Sequence, residues 1–237
     1  LLGAGFVMSL TKRPMVKNIG QAILGLALVF VGLIYIKSSV PEIDTVPQMA
    51  ASIAGISSHG IASALIFMLI GVVITFVLQS SSVTVVLTMV LVYFGWISFP
   101  MAAAMVLGEN IGTTIGANLV ASRAGVQASR AALAHFIFNV LGAAFVLIFF
   151  NMFIKINLWL VSLFGLDAQM TSVFGVACVH TLFNVTATVV LVWFRKPFAG
   201  FLARCIKEPA PKKGDFRLRF IGSGRIIGTP SISIEQA

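Results

Sequence analysis

The sequence predicts an all-α integral membrane protein, and three observations carry that prediction. Of 237 residues, 59% are hydrophobic and only 10% are charged, a balance far from that of a soluble domain. Apolar runs of bilayer-crossing length recur along the chain between short charged loops. One pair of runs, Ile61–Leu78 and residues 83–94, is split by four polar residues, Gln79-Ser80-Ser81-Ser82, which folds most economically as a helical hairpin with a polar tip. The excess of 16 Lys and Arg over 7 Asp and Glu would suggest nucleic acid in a soluble chain. Here the positive-inside rule accounts for it, and no nucleic-acid partner is expected.

Residues 1–10 are apolar without a basic start, which reads as the end of a preceding span rather than a signal peptide. The chain is accordingly expected to be a fragment. Lys12, Arg13 and Lys17 form a basic loop, and residues 19–36 a span. Residues 38–58 read as a mixed loop with room for a short surface helix. The hairpin of residues 61–97 follows, its arms either crossing or re-entrant. Residues 99–121 are apolar but interrupted by Gly108-Glu109-Asn110-Ile111-Gly112-Thr113-Thr114, which predicts a broken transmembrane helix. Residues 128–150 and 171–194 are further spans, with an interfacial loop at 151–169. With the amino end inside, segments 1–18, 122–130 and 195–237 hold 14 Lys and Arg, against 2 in segments 37–60 and 151–169. That arithmetic places the carboxyl end in the cytoplasm and requires 61–97 to begin and end on one side. The sequence thus divides into 1–18, a membrane repeat at 19–197, and a basic linker at 198–237.

An unpartnered hydroxyl or amide in hydrocarbon costs roughly 2–7 kcal/mol, so four together are either a turn at the membrane surface or the lining of an enclosed polar site. The Asn110–Thr114 stretch has the same two readings: a kinked helix whose threonines bond back to their own carbonyls, or a helix break. A break would offer carbonyls to a cation and a helix start to an anion. Glu109 is the only acid inside an apolar segment. It is expected to face an aqueous vestibule or a partner outside this chain, tuning pH and cation dependence without being an obligatory ligand. His135-Phe-Ile-Phe-Asn139 and His180-Thr-Leu-Phe-Asn184 repeat one pattern. Each pair lies on one helix face, serving either as interhelical hydrogen-bond glue or as a substrate or proton contact. Cys178 and Cys205 share no disulfide or metal spacing.

These four motifs, in this order and spacing, resemble the sodium-dependent phosphate cotransporter family, bacterial branch. They are Gln79–Ser82, Gly108-x-Asn110-Ile111-Gly112-Thr113-Thr114, Arg130-Ala-Ala-Leu-Ala-His135 through Asn139, and His180–Asn184. The resemblance implies one of two inverted repeats enclosing a shared site. A missing amino-terminal repeat of the same polypeptide would supply the other half. It implies a sodium–phosphate symporter of the cytoplasmic membrane, surrounded by lipid, with Gln79, Ser80 and Thr113 as Na+ ligands. Ser81, Ser82, Asn110 and Thr114 would then cradle phosphate. Glu109, His135, Asn139, His180 and Asn184 would tune that site from around it. No catalytic residue, no cofactor and no metal beyond Na+ are expected. Phe216-Arg-Leu-Arg-Phe-Ile and the segment from Thr229 resemble the lead-in to a cytoplasmic domain like the phosphate-uptake regulators. Two positions depart from the family: Glu109 stands where a small or neutral residue is common, and Gly116 where some members carry threonine. The alternative function is a membrane phosphate sensor signalling through that domain. An intramembrane hydrolase lacks a Gly-x-Ser-x-Gly elbow, so the chain is not read as an enzyme.

Overall fold

The structure, a computed structural model, describes residues 1–208. The resemblances at Phe216 and Thr229 lie outside the described residues. Leu1–Ile206 form one compact unit, helical throughout apart from its connections. In chain order the helices are α1 (Leu2–Ser9), α2 (Pro14–Ser39), α3 (Pro47–Ser57), α4 (Ile61–Leu78), α5 (Ser81–Tyr93), α6 (Phe99–Ala121), α7 (Val126–Ile148), α8 (Phe150–Ser162), α9 (Ala168–Trp193) and α10 (Arg195–Cys205). A single 3-10 turn, Ile43–Thr45, precedes α3. Among the described residues, α2, α4, α7 and α9 are long and apolar enough to cross a membrane.

The expected hairpin is present. Gln79 ends α4 in the left-handed region, φ 54° and ψ 25°, and Ser80 starts α5 as an extended N-cap whose hydroxyl accepts from Val83 N. Gln79 is the one non-glycine among the described residues with positive φ, a conformation that costs free energy and concentrates where geometry matters. At ~1.5 Å per residue α4 is about 27 Å long and α5 about 20 Å, so α5 alone is too short for a ~30 Å hydrocarbon core. The excursion returns to the end it left: Trp96 Nε1 donates to Pro41 O at 2.7 Å, and Gln169 Nε2 to Tyr93 O at 2.9 Å. Lys37 sits 4.7 Å over the Tyr93 ring. At the opposite end, Arg130 Nε donates to Ile206 O at 2.9 Å and Ser129 Oγ to Ala121 O at 2.9 Å.

Helix α6 is the hub, packing against α4, α5, α7 and α9. Residues 101–110 are buried without exception. That explains how a helix carrying glutamate and asparagine sits in a membrane protein: its neighbours, not lipid, are its solvent. The sequence reading of α6 as broken is corrected here, since it is one continuous helix from Phe99 to Ala121. Its glycines serve close packing instead. A methyl group on Gly108 would strike the Met68 carbonyl and lie 3.0 Å from Val72 N, and one on Gly112 would lie 2.6 Å from Val72 O. Reciprocally, one on Gly71 would strike the Met105 carbonyl and lie 3.2 Å from Glu109 N. Small residues four apart let backbones approach, which is what drives helix association where no hydrophobic effect operates between helices. The interfacial loop at 151–169 also proves mostly helical, as α8.

Candidate functional site

Glycine contacts fix the register of the hairpin on α6. Gly71 meets Met105 and Glu109, Val72 meets Gly108 and Gly112, and Gln79 meets Gly116, so α4 and α6 run parallel with the tip near the far end of α6. A Cβ on Gly116 would lie 3.2 Å from the Gln79 amide carbon, so glycine at this position leaves the room that the Gln79 side chain occupies. The Gln79 side chain is therefore level with Gly116, about 9 Å along the helix from Asn110. Gln79 is exposed and folds its amide nitrogen back to Phe76 O. Ser81 and Ser82 open α5, where the first-turn N–H groups have no intrahelical acceptor. Among the described residues no hydrogen bond joins the tip to Thr113.

Thr113 is half-buried and donates to Asn110 O at 2.9 Å, and Thr114 is buried and donates to Ile111 O at 2.6 Å. Both hydroxyls thus bond back along the helix, each keeping lone pairs to offer. Asn110 is turned toward α9. Its Nδ2 donates to Val106 O at 3.0 Å, and its Oδ1 accepts from Asn184 Nδ2 at 3.3 Å. Asn184 also donates to His180 O at 2.8 Å. On α7, Asn139 is 1% exposed; among the described residues its Oδ1 has no hydrogen-bond partner, and neither does the buried Nδ1 of His180 on α9. His135 is exposed and lines a groove with Asn184.

Glu109 does not face a vestibule or an absent partner, as the sequence suggested; it is 0% exposed and enclosed by this chain's own helices. Its Oε1 accepts from Thr88 Oγ1 at 2.6 Å, and among the described residues Oε2 has no partner. The reason is rotation about α6: Gly108 and Gly112 take the face against α4, which turns Glu109 toward α5 and Asn110 toward α9. Thr88 was not singled out from sequence. Neither were Thr84, whose hydroxyl donates to Ser80 O at 2.9 Å, and Thr75, buried with an unpartnered Oγ1 beside Gly112. A signal was available: Ser80, Thr84 and Thr88 recur every four residues, as do Thr75 and Gln79, which marks polar stripes on otherwise apolar arms.

The geometry is thus a polar hairpin tip, a helix start and an asparagine pair set around a buried helix. Neither lysine nor arginine occurs anywhere in residues 61–122. Such a site offers oxygens to a hard cation and N–H groups to an anion.

No solved structure matches the chain. Among curated proteins, 152 residues, 63% of this chain, are 36% identical to "Uncharacterized protein YqeW" of Bacillus subtilis (strain 168), covering 47% of it. Over 226 residues, 95% of this chain, it is 26% identical to "Putative inorganic phosphate export protein YjbB" of Escherichia coli (strain K12), covering 39% of it. The chain spans less than half the length of these relatives. The model of the Na+/Pi-cotransporter family matches residues 49–173, a segment that holds the hairpin, all of α6 and the first histidine motif. With more than half of its length matched by that model, the chain belongs to the Na+/Pi-cotransporter family.

Proposed function

We propose that this chain forms part of a secondary active transporter that couples Na+ movement to inorganic phosphate transport across the cytoplasmic membrane, with its carboxyl end in the cytoplasm. The supporting observation is the approach of Gln79, at the hairpin tip, to Gly116 of α6, inside a segment free of Lys and Arg. Gln79, Ser80 and Thr113 offer oxygens to Na+. Ser81, Ser82, Asn110 and Thr114, with the first N–H groups of α5, offer hydrogen bonds and the positive end of a helix to phosphate. Without a basic side chain nearby, a phosphate dianion in a low-dielectric site requires a co-bound cation, because their mutual attraction there exceeds its value in water several-fold. Coupling follows: each ligand raises the affinity of the other by the same factor. A second, inverted repeat, as the resemblance implies, would complete the ligand shell. Direction follows from the gradients and from which side releases phosphate; export, the activity in the Escherichia coli relative's name, uses the same site as import.

The experiment is labelled-phosphate transport by the full-length protein in vesicles, with and without a sodium gradient. Thr113→Val keeps shape and removes the hydroxyl. It should raise the sodium concentration for half-maximal transport several-fold while leaving folding intact. An unchanged sodium dependence at normal expression removes Thr113 from the cation site.

A further inference from the structure

The two His-x-x-Phe-Asn motifs are not tied to each other: the one bond between helices that they make among the described residues runs from Asn184 to Asn110 on α6. Among the described residues no hydrogen bond joins His135 or Asn139 on α7 to His180 or Asn184 on α9. Instead His135 and Asn184 open onto one groove of about 550 Å³ between α7, α9 and α10, shared with Phe138, Thr188 and Arg195. Along α9 the groove follows Asn184, Thr188 and Leu191, positions 0, 4 and 7 of one helix face, or about 10 Å, and it continues to Arg195 where α10 begins. One end is Asn184, hydrogen-bonded to Asn110. The other is Arg195, exposed at the start of α10. No acidic residue lines the groove. Asn139 and His180 do not line the groove but stand one helical turn from His135 and Asn184, and among the described residues Asn139 Oδ1 and His180 Nδ1 are buried without a hydrogen-bond partner.

We propose that this groove is the aqueous vestibule by which the anion reaches Asn110, with Arg195 as the residue that recruits it. The inference rests on the reading that Asn110 belongs to the anion site. The apolar walls, Phe138, Leu191, Val192 and Phe198, strengthen the field of a cation at the mouth, because low-dielectric walls focus it into the cleft. The volume leaves room for a small ion with its water, each water taking about 30 Å³. Thr188 and Asn184 then supply a polar track past those walls. This places the basic side chain that the binding site lacks on the approach to it, where it concentrates anions without holding them.

A charge-sensitive thiol assay on the full-length protein in detergent micelles tests this without requiring transport. In a Cys178→Ala, Cys205→Ser background, Thr188→Cys is labelled with methanethiosulfonates bearing either a sulfonate or a trimethylammonium group. The sulfonate should react faster. Arg195→Gln should lower the anion-to-cation rate ratio at least about threefold, and Arg195→Lys should keep it. Inorganic phosphate with sodium should slow labelling. A thiol at 188 unreactive to both reagents, as lipid or another part of the protein filling the groove would cause, overturns the vestibule. So does a ratio indifferent to Arg195→Gln. A ratio that responds to Arg195 while phosphate gives no protection leaves the anion vestibule standing and removes phosphate as its substrate.

Discussion

Replacing Gly108 with alanine adds one methyl group to the contact between α4 and α6. An ideal Cβ at Gly108 would overlap the Met68 carbonyl oxygen and lie 2.7 Å from its carbon and 3.0 Å from Val72 N. These are backbone atoms, which cannot rotate aside, so the two helices must part by roughly 1 Å, a gap that forfeits a quarter to a half of each dispersion contact along the seam. Overpacking of this kind costs about 1–3 kcal/mol, here at the upper end. Alanine returns about 1 kcal/mol through its better helix propensity. The net expectation is a loss of about 2 kcal/mol. Gly32→Ala is the internal control, because nothing lies within 4 Å of its Cβ position; it should be neutral or stabilising by up to about 1 kcal/mol. Equilibrium unfolding of the full-length protein in mixed micelles reads both variants. If Gly108→Ala is as stable as Gly32→Ala, the close approach of α4 and α6 is wrong, and the glycines serve another purpose.

Three further outcomes follow from the buried carboxyl and from the two ends of the bundle. Thr88→Val removes the hydroxyl that reaches Glu109 and should destabilise the protein by about 1–3 kcal/mol, since it leaves a buried polar oxygen unpaired. Glu109→Gln, which keeps an acceptor for Thr88, should cost less than Thr88→Val in the same unfolding assay and retain transport. The reverse order would mean that the carboxylate itself holds the site together. A membrane-impermeant thiol reagent applied to intact cells should label a cysteine introduced by Gln169→Cys and spare Cys205, which lies in α10 at the opposite end of the bundle. Labelling of Cys205 from outside inverts the assigned orientation.

Hydropathy is a sum over local composition and a motif is a local string, so the sequence by itself determined the membrane class, the positions of the spans, the hairpin with the tetrad Gln79–Ser82 at its tip, and the family. Each of these needs no knowledge of what stands opposite a residue. What Gly108 and Gly112 do was not of that kind. A glycine loosens a helix or admits a neighbour depending on whether another backbone lies against it, and only the tertiary structure put Met68 and Val72 there. The same rotation of α6 decided the environment of Glu109, a buried carboxyl bonded to Thr88 rather than one facing water. Sequence spacing showed that His135 and Asn139 share a face, as do His180 and Asn184. That His135 and Asn184 border one groove ending at Arg195 depends on how α7, α9 and α10 pack. The order of residues along one helix carries no record of the angle at which another helix meets it.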